Sequence, residues 1–213
     1  VELGMQDVEA IIKANPDVIV VVDEAYIDFG GESALPLIEK YDNLLVVQTF
    51  SKSRSLAGMR LGFAMGNEKL IRYINDVKYS FNSYTLNQTA LVLGVQLAAG
   101  GALDVGKVDK DALCGLGTQE YFEETCAKVI ATREWTKCEL KKLGFSFGDS
   151  MSNFIFATHE RVPAKEIFEA LREHNIFVRY FSKPRISNYL RISIGTQQEM
   201  ERLTDFLAVF LGE

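Results

Sequence analysis

Cysteine is scarce in this 213-residue chain, and its three copies, Cys114, Cys126 and Cys138, stand twelve residues apart. No CxxC pair occurs and no histidine lies near them in sequence, so the spacing of a structural metal site is missing. An odd set also excludes the even disulfide framework of a small secreted scaffold and points to the cytoplasm. Histidine is rarer still, and His159 and His174 share no motif with each other or with the cysteines. All five therefore read as ordinary structural or surface residues. Positive charge is not in excess: 23 Lys and Arg face 29 Asp and Glu, a formal net charge of -6. With no basic stripe and no block of like charge, a nucleic-acid partner is not expected. Apolar runs are short, none near the roughly 18 residues that cross a bilayer, so no membrane partner is expected either. Val1-Glu2-Leu3-Gly4 carries no initiator Met and no signal-peptide pattern.

What is present is the balance of a soluble globular protein, 47% hydrophobic and 24% charged. The length allows one large domain or two modest ones. Val8, Ile11 and Ile12 mark a short helix closed by Asn15-Pro16. Val18-Ile19-Val20-Val21-Val22 has no polar alternation and predicts a strand buried on both faces inside a parallel sheet. Leu44-Leu45-Val46-Val47 repeats that pattern, and Leu61-Gly62-Phe63-Ala64-Met65 is a weaker third strand. Asn67 caps a helix with Leu70, Ile71, Ile74 and Val77 at helical spacing. Leu86, Ala90, Leu93 and Leu97 mark another, stopped by Gly100-Gly101.

Leu103 to Thr118 loses periodicity and reads as a linker, which puts a domain boundary near residue 118. A long helix is expected from about Glu120 to Leu143, with Gly144 as its stop. The last third reads as a compact α+β unit. Strands near Asn153–Ala157, Ile176–Arg179 and Leu190–Ile194 alternate with helices at Pro163–His174 and Gln197–Leu211. Pro163 suits a first helical position, and Thr196 with Glu199 forms a capping box. The fold class is thus α/β, residues 1–118 followed by a small α+β domain at 119–213.

The chemistry gathers where buried strands end. Asp23 follows the first apolar run directly, and ligands of open α/β sheets bind outside the carboxyl ends of strands. Tyr26 follows in Asp23-Glu24-Ala25-Tyr26; by itself the pair reads as a turn carboxylate and a packing tyrosine. Lys52 sits beyond the second strand in Ser51-Lys52-Ser53-Arg54-Ser55-Leu56-Ala57-Gly58-Met59-Arg60-Leu61-Gly62. A phosphate-binding P-loop is excluded, because Ser51 and Val47 stand where that motif needs glycine. Two readings stay open on the residues alone: a solvated lysine, or a partly desolvated one facing an aldehyde.

Taken together, Asp-Glu-Ala-Tyr after an apolar strand and Ser-Lys-x-x-x-Leu-Ala-Gly-x-Arg-x-Gly about thirty residues on resemble the class I/II pyridoxal-phosphate-dependent aminotransferases of fold type I. The resemblance runs from about Val8 to the C-terminus and includes Tyr189-Leu190-Arg191-Ile192-Ser193-Ile194-Gly195-Thr196. It implies that residues 1–118 are the later part of the large cofactor domain, a mostly parallel sheet with helices. Lys52 would form an imine with the aldehyde of pyridoxal 5'-phosphate and carry a proton between substrate and cofactor. Asp23 would pair with the pyridine nitrogen, and Tyr26 would hydrogen-bond the phenolic oxygen. Ser51 and Arg60 would hold the phosphate. Arg191 would receive the substrate α-carboxylate and Arg179 a substrate phosphate; without the motif, Arg191 reads as a solvated sheet face. Asn82 and Tyr84 fall near the active site of such enzymes, and no role is assigned to them.

Leu56-Ala57-Gly58 favours the branch that exchanges an amino group between histidinol phosphate and 2-oxoglutarate, a step of histidine biosynthesis. An aromatic aminotransferase and a threonine-phosphate decarboxylase are the rival enzymes, and a non-catalytic truncated module is the rival of another class. The resemblance also implies a cytoplasmic homodimer. It aligns the chain with the C-terminal portion of the family, without the upstream groups that stack on the cofactor and cradle its phosphate. The chain alone is therefore expected to be inactive.

Overall fold

The computed structural model describes residues 3–98 and 119–212, and the expected Gly100-Gly101 stop and Leu103–Thr118 linker lie outside them. The chain divides into two units, one of Leu3–Cys126 and one beginning at Ala127. That division falls within a helix, whereas the boundary expected near residue 118 lies outside the described residues.

The first unit opens with α1 (Met5–Ala14), which buries Val8 and Ile12 at helical spacing. The Asn15 side chain donates to the Ile11 carbonyl and closes it. Strand β1 (Val20–Asp23) runs parallel to β2 (Leu44–Thr49), with Asp23 opposite Val47, and β3 (Gly62–Gly66) returns antiparallel on the other side of β2. Central β2 has Leu44, Leu45 and Val46 all buried, as its unbroken apolar run predicts. For β1 the expectation is corrected. Val18 and Ile19 precede the strand and are exposed, and Val21 is 55% exposed. Val20 and Val22 pack on Val8, Ile12, Ala34, Leu37, Leu44 and Val46, so among the described residues one face of β1 is covered. β-branched residues specify extended backbone, but whether a second layer covers them is decided by other segments.

Helix α2 (Glu68–Phe81) starts at Asn67, whose side chain accepts the Lys69 N–H at 2.9 Å, as its capping role predicts. Leu70 is buried, while Ile74 and Val77 on the same stripe are exposed. Helix α3 (Gln88–Ala98) buries Ala90. The long α4 (Gln119–Lys142) begins in this unit and continues into the second.

The second unit is an antiparallel sheet in the order β4 (Phe145–Phe147), β5 (Phe154–His159), β7 (Leu190–Ser193) and β6 (Arg179–Tyr180). The short β4 carries no sequence signal of its own and pairs with β5. Gly144 adopts a positive φ of 77° after α4, which favours glycine where the chain turns into β4. Helix α5 (Ala164–Glu173) buries Ala164, Ile167 and Leu171. Pro163 is its N-cap, one position earlier than expected. Helix α6 (Gln197–Leu211) buries Met200, Leu203, Thr204 and Leu207 and carries the predicted Thr196–Glu199 capping box. These stripes meet Ile155, Ala157, Leu190 and Ile192 of the sheet in one core. No helix among the described residues is long and apolar enough to cross a membrane.

Candidate functional site

Because β1 and β2 are parallel, their carboxyl ends emerge on one edge, and both sequence motifs follow there. Asp23 is the last residue of β1 and its Oδ1 accepts the Ala25 N–H at 3.0 Å. This side-chain turn leads into a 3₁₀ turn at Ile27–Phe29, with Tyr26 at its start. Lys52 comes three residues after β2, half-buried, with its Nζ 5.2 Å from the centre of the Tyr26 ring. The cation thus lies over an aromatic face, and the two motifs meet in space.

The segment after Lys52 folds back on the strand it leaves. Phe50 N–H donates to Leu61 O at 3.1 Å, Leu56 N–H to Phe50 O at 2.9 Å, and Ser55 N–H to Lys52 O at 3.1 Å. Ser51 N–H donates to Thr49 Oγ1 at 3.1 Å. Ser55 and Arg60 take positive φ values of 56° and 54°, a conformation that costs non-glycine residues energy and that the surrounding turn holds in place. Arg60 is exposed, and its Nη1 donates to Ala57 O at 2.8 Å across a 3₁₀ turn at Ala57–Met59. Ser53 Oγ donates to Asp28 Oδ2, and the Arg54 guanidinium lies 3.6 Å from the Phe122 ring centre. Burial pushes the nearby Cys126 thiol up, and Asp28 adds to the shift while Arg54 opposes it.

Beside these candidates Glu24 is buried and densely hydrogen-bonded, which the sequence does not announce. Its carboxylate is 5% exposed and receives the Ala34 N–H at 2.6 Å, Ser33 Oγ at 2.8 Å and Gln48 Nε2 at 2.8 Å. A glutamate next to an aspartate at a strand end gives no sequence sign of burial, since its donors lie nine, ten and twenty-four residues away.

Within the second unit, Arg179 on β6 stands directly opposite Arg191 on β7, both exposed. Alternation along β7 places Leu190 and Ile192 in the core and Arg191 and Ser193 on the other face, as expected. The Arg191 guanidinium is 5.4 Å from the Phe154 ring centre, and that of Arg179 is 5.6 Å from Phe181. Two like charges directly opposite on a sheet repel, and a bound anion removes the repulsion. The arrangement suits two acidic groups of one small molecule. Phe156, opposite Arg191, stacks on Tyr189 at 4.7 Å.

The remaining candidates have structural positions. Asn82 ends α2 and its Oδ1 accepts the Tyr84 N–H at 3.0 Å, while Tyr84 is fully in solvent. Buried His159 accepts the Val162 N–H at 2.9 Å, and the His174 ring contacts Ala170 O at 3.0 Å. Cys126 and Cys138 are free thiols, and Cys114 lies outside the described residues.

A family model described as aminotransferase class I and II matches residues 4–207. A histidinol-phosphate aminotransferase of Brachyspira hyodysenteriae is 49% identical over 200 residues, 93% of this chain and 51% of the relative. One from Clostridium botulinum (strain Okra / Type B1) is 46% identical over 205 residues, 96% of this chain and 53% of the relative. The chain spans about half the length of the curated relatives it matches. Among solved structures, a Sinorhizobium meliloti histidinol-phosphate aminotransferase in complex with pyridoxal-5'-phosphate superposes with a TM-score of 0.76. The match covers 99% of this chain and 54% of that one at 23% identity, a likeness of fold.

Proposed function

The chain belongs to the class I and II aminotransferases, and from that premise we propose that it is the C-terminal portion of a pyridoxal-phosphate enzyme that exchanges an amino group between histidinol phosphate and 2-oxoglutarate. The observation that carries the reading is the meeting of Lys52 with Tyr26 beside Asp23, at the carboxyl ends of two parallel strands. The substrate is supported by relatives of that name at 46–49% identity.

The donor set fits the cofactor group by group. A carboxylate suits a protonated ring nitrogen, a phenol a phenolate oxygen, a primary amine an aldehyde, and a guanidinium with a hydroxyl a phosphate. Asp23, Tyr26, Lys52, and Arg60 with Ser51 are those groups, and all belong to the first unit. When bound, the cofactor supplies an aldehyde for amines and a positively charged ring that accepts the electrons left on the substrate α-carbon.

The rest of the work falls to the chain. Asp23 holds positive charge on the ring nitrogen, where a neutral group would let the proton go. Tyr26 would donate its hydroxyl proton in a hydrogen bond to the phenolic oxygen. Lys52 Nζ would hold the aldehyde group and, when free of it, would be the base that moves a proton at the substrate α-carbon. Arg60 and Ser51 would hold the phosphate, a guanidinium and a hydroxyl for its oxygens. Arg191 takes the substrate α-carboxylate as a two-pronged fork, and Arg179 takes the phosphate of histidinol phosphate. The enzyme acts in the cytoplasm as a homodimer; the sparse cysteines support the first and the exposed apolar side chains of the first unit the second.

Replacement of Lys52 by Ala in the complete enzyme tests the reading. Turnover is expected to fall by about 10⁴-fold or more, with the cofactor still bound but no longer reducible onto the protein by borohydride. Near-normal transamination by Lys52→Ala would overturn the assignment.

A further inference from the structure

Among the described residues of the first unit, Glu24 is the one charged side chain that is buried, and the proposed chemistry gives it no task. Burying a carboxylate costs several kcal/mol, of the order that only good compensation recovers. Here the compensation is neutral: one backbone N–H, one hydroxyl and one amide. The donors identify what is being joined. Ser33 and Ala34 belong to the segment after the Tyr26 turn, and Gln48 belongs to β2, four residues before Lys52. The Glu24 N–H also donates to Val47 O at 2.9 Å, carrying the β1–β2 ladder one step past Asp23. One residue therefore fixes the loop that bears Asp23 and Tyr26 to the strand that bears Lys52.

A second carboxylate of the same loop acts on the other side of the lysine. Asp28 accepts the hydroxyl of buried Ser53, the residue after Lys52. Gln48 and Ser53 thus bracket Lys52, and both are held by acids from the segment 24–28. A hydrogen bond to a charged acceptor is stronger than a neutral one, and these two flank a loop that carries strained φ angles at Ser55 and Arg60. Resting on the cofactor reading above, we infer that Glu24 and Asp28 are positioning residues: they clamp the Lys52 segment at both ends and set its amine against Asp23 and Tyr26.

The complete enzyme tests this with Gln48→Leu and Ser53→Ala, singly and together, beside Glu24→Ala and Glu24→Gln. Each is read by cofactor affinity, by the rate at which borohydride links cofactor to the Lys52 peptide, and by the pH midpoint of the visible band of the bound cofactor. The double variant is expected to trap cofactor at least about tenfold more slowly, with the pH midpoint moved by about half a unit or more. Its apoprotein melting temperature is expected to fall as well, since two hydrogen bonds to carboxylates are lost. Trapping and midpoint are therefore read at a temperature where the apoprotein melt shows the variant folded. Glu24→Gln keeps one oxygen for Ser33 and Ala34 and meets a reoriented Gln48 amide, so it is expected to restore what Glu24→Ala loses. If Glu24→Ala does not fold, the Gln48 and Ser53 variants decide alone. Wild-type trapping rate and midpoint in the double variant would overturn the clamp while leaving the cofactor reading intact. A wild-type enzyme with no cofactor on Lys52 would overturn the reading, and the clamp with it.

Discussion

The two units bury their apolar side chains very differently. From Ala127 onward, α5 and α6 lay regular stripes on the β4–β5–β7–β6 sheet, and Leu140, Ile155, Leu171 and Leu207 are all 0% exposed. The large apolar residues left outside there, among the described residues, are Phe177, Val209 and Phe210. In the Leu3–Cys126 unit the core is smaller, centred on Val8, Ile12, Ala34, Leu37, Leu44 and Val46. Around it Val18, Ile19, Val21, Ile74, Val77, Phe81 and Tyr84 stand in water. Patterns of equal quality in sequence thus end in one unit that is closed on itself and one with uncovered faces. The uncovered unit is the one with the catalytic candidates, and relatives of this chain are about twice its length.

That contrast makes its strongest prediction about the 213-residue chain studied alone. Exposed apolar residues on β1 and α2 form faces that water disfavours, and β1 is an edge strand among the described residues. The chain is expected to associate with itself, and to show little or no transaminase activity and weak cofactor binding. Light scattering after size exclusion, beside a transamination assay, checks this. An active, cofactor-loaded monomer would erase the difference between the units.

Arg191 separates function from stability within the closed unit. Arg191→Ala in the complete enzyme is expected to weaken amino-acid and oxo-acid substrates alike by roughly 2–5 kcal/mol. Stability is expected to hold or rise slightly, because Arg179 loses a like charge directly opposite. Half-reaction kinetics and thermal melts measure the two sides. Unchanged substrate affinity would return Arg191 to a solvated sheet face.

The cores can be compared by single truncations. Leu207→Ala removes a fully buried side chain of the closed unit and is expected to cost about 2–5 kcal/mol of unfolding free energy. Val77→Lys, at a position 69% exposed on α2, is expected to stay within about 0.5 kcal/mol while reducing self-association of the chain. Denaturant titration of the complete enzyme measures the first, and denaturant titration with light scattering of the 213-residue chain measures the second. A large stability loss at Val77 would mean that its face is already covered.

Sequence legibility follows the same divide. Local chemistry made α6, its capping box, the Asn67 cap and buried β2 readable, because each depends on neighbours in the chain. Alternation around Arg191 gave its face, but its place opposite Arg179 is a register between two strands, and no residue announces that. The coverage of β1 is not legible, because a run of valines states backbone preference and not what lies above it. β4 is three residues long and exists through its pairing with β5. At the candidate site, the paired motifs single out Asp23, Tyr26 and Lys52 as candidates, and Lys52 lies over the Tyr26 ring. Glu24 stayed hidden because its meaning lies entirely in distant donors.

The smallest effect expected is at the N-terminus of α6, where the closed unit depends on local hydrogen bonds. Thr196 Oγ1 accepts the Glu199 N–H at 3.3 Å, and Glu199 Oε2 accepts the Thr196 N–H at 2.7 Å. Thr196→Ala is expected to cost about 1 kcal/mol. The Thr196 backbone N–H, and after it the Thr196 hydroxyl, hold the Glu199 carboxyl below its ordinary value. A carboxyl lowered by folding adds stability that is present above its ordinary value of 4.5 and is lost as pH falls through the lower folded value. Because Glu199 is exposed, screening by water keeps that share small. Glutamine at this position also completes the box but does not titrate. Thermal melts at about pH 7 and about pH 3 should therefore show wild type losing slightly more stability on acidification than Glu199→Gln, after both are corrected for the other carboxylates they share. Equal losses would mean that the box acts through its geometry, with no contribution from the charge on Glu199.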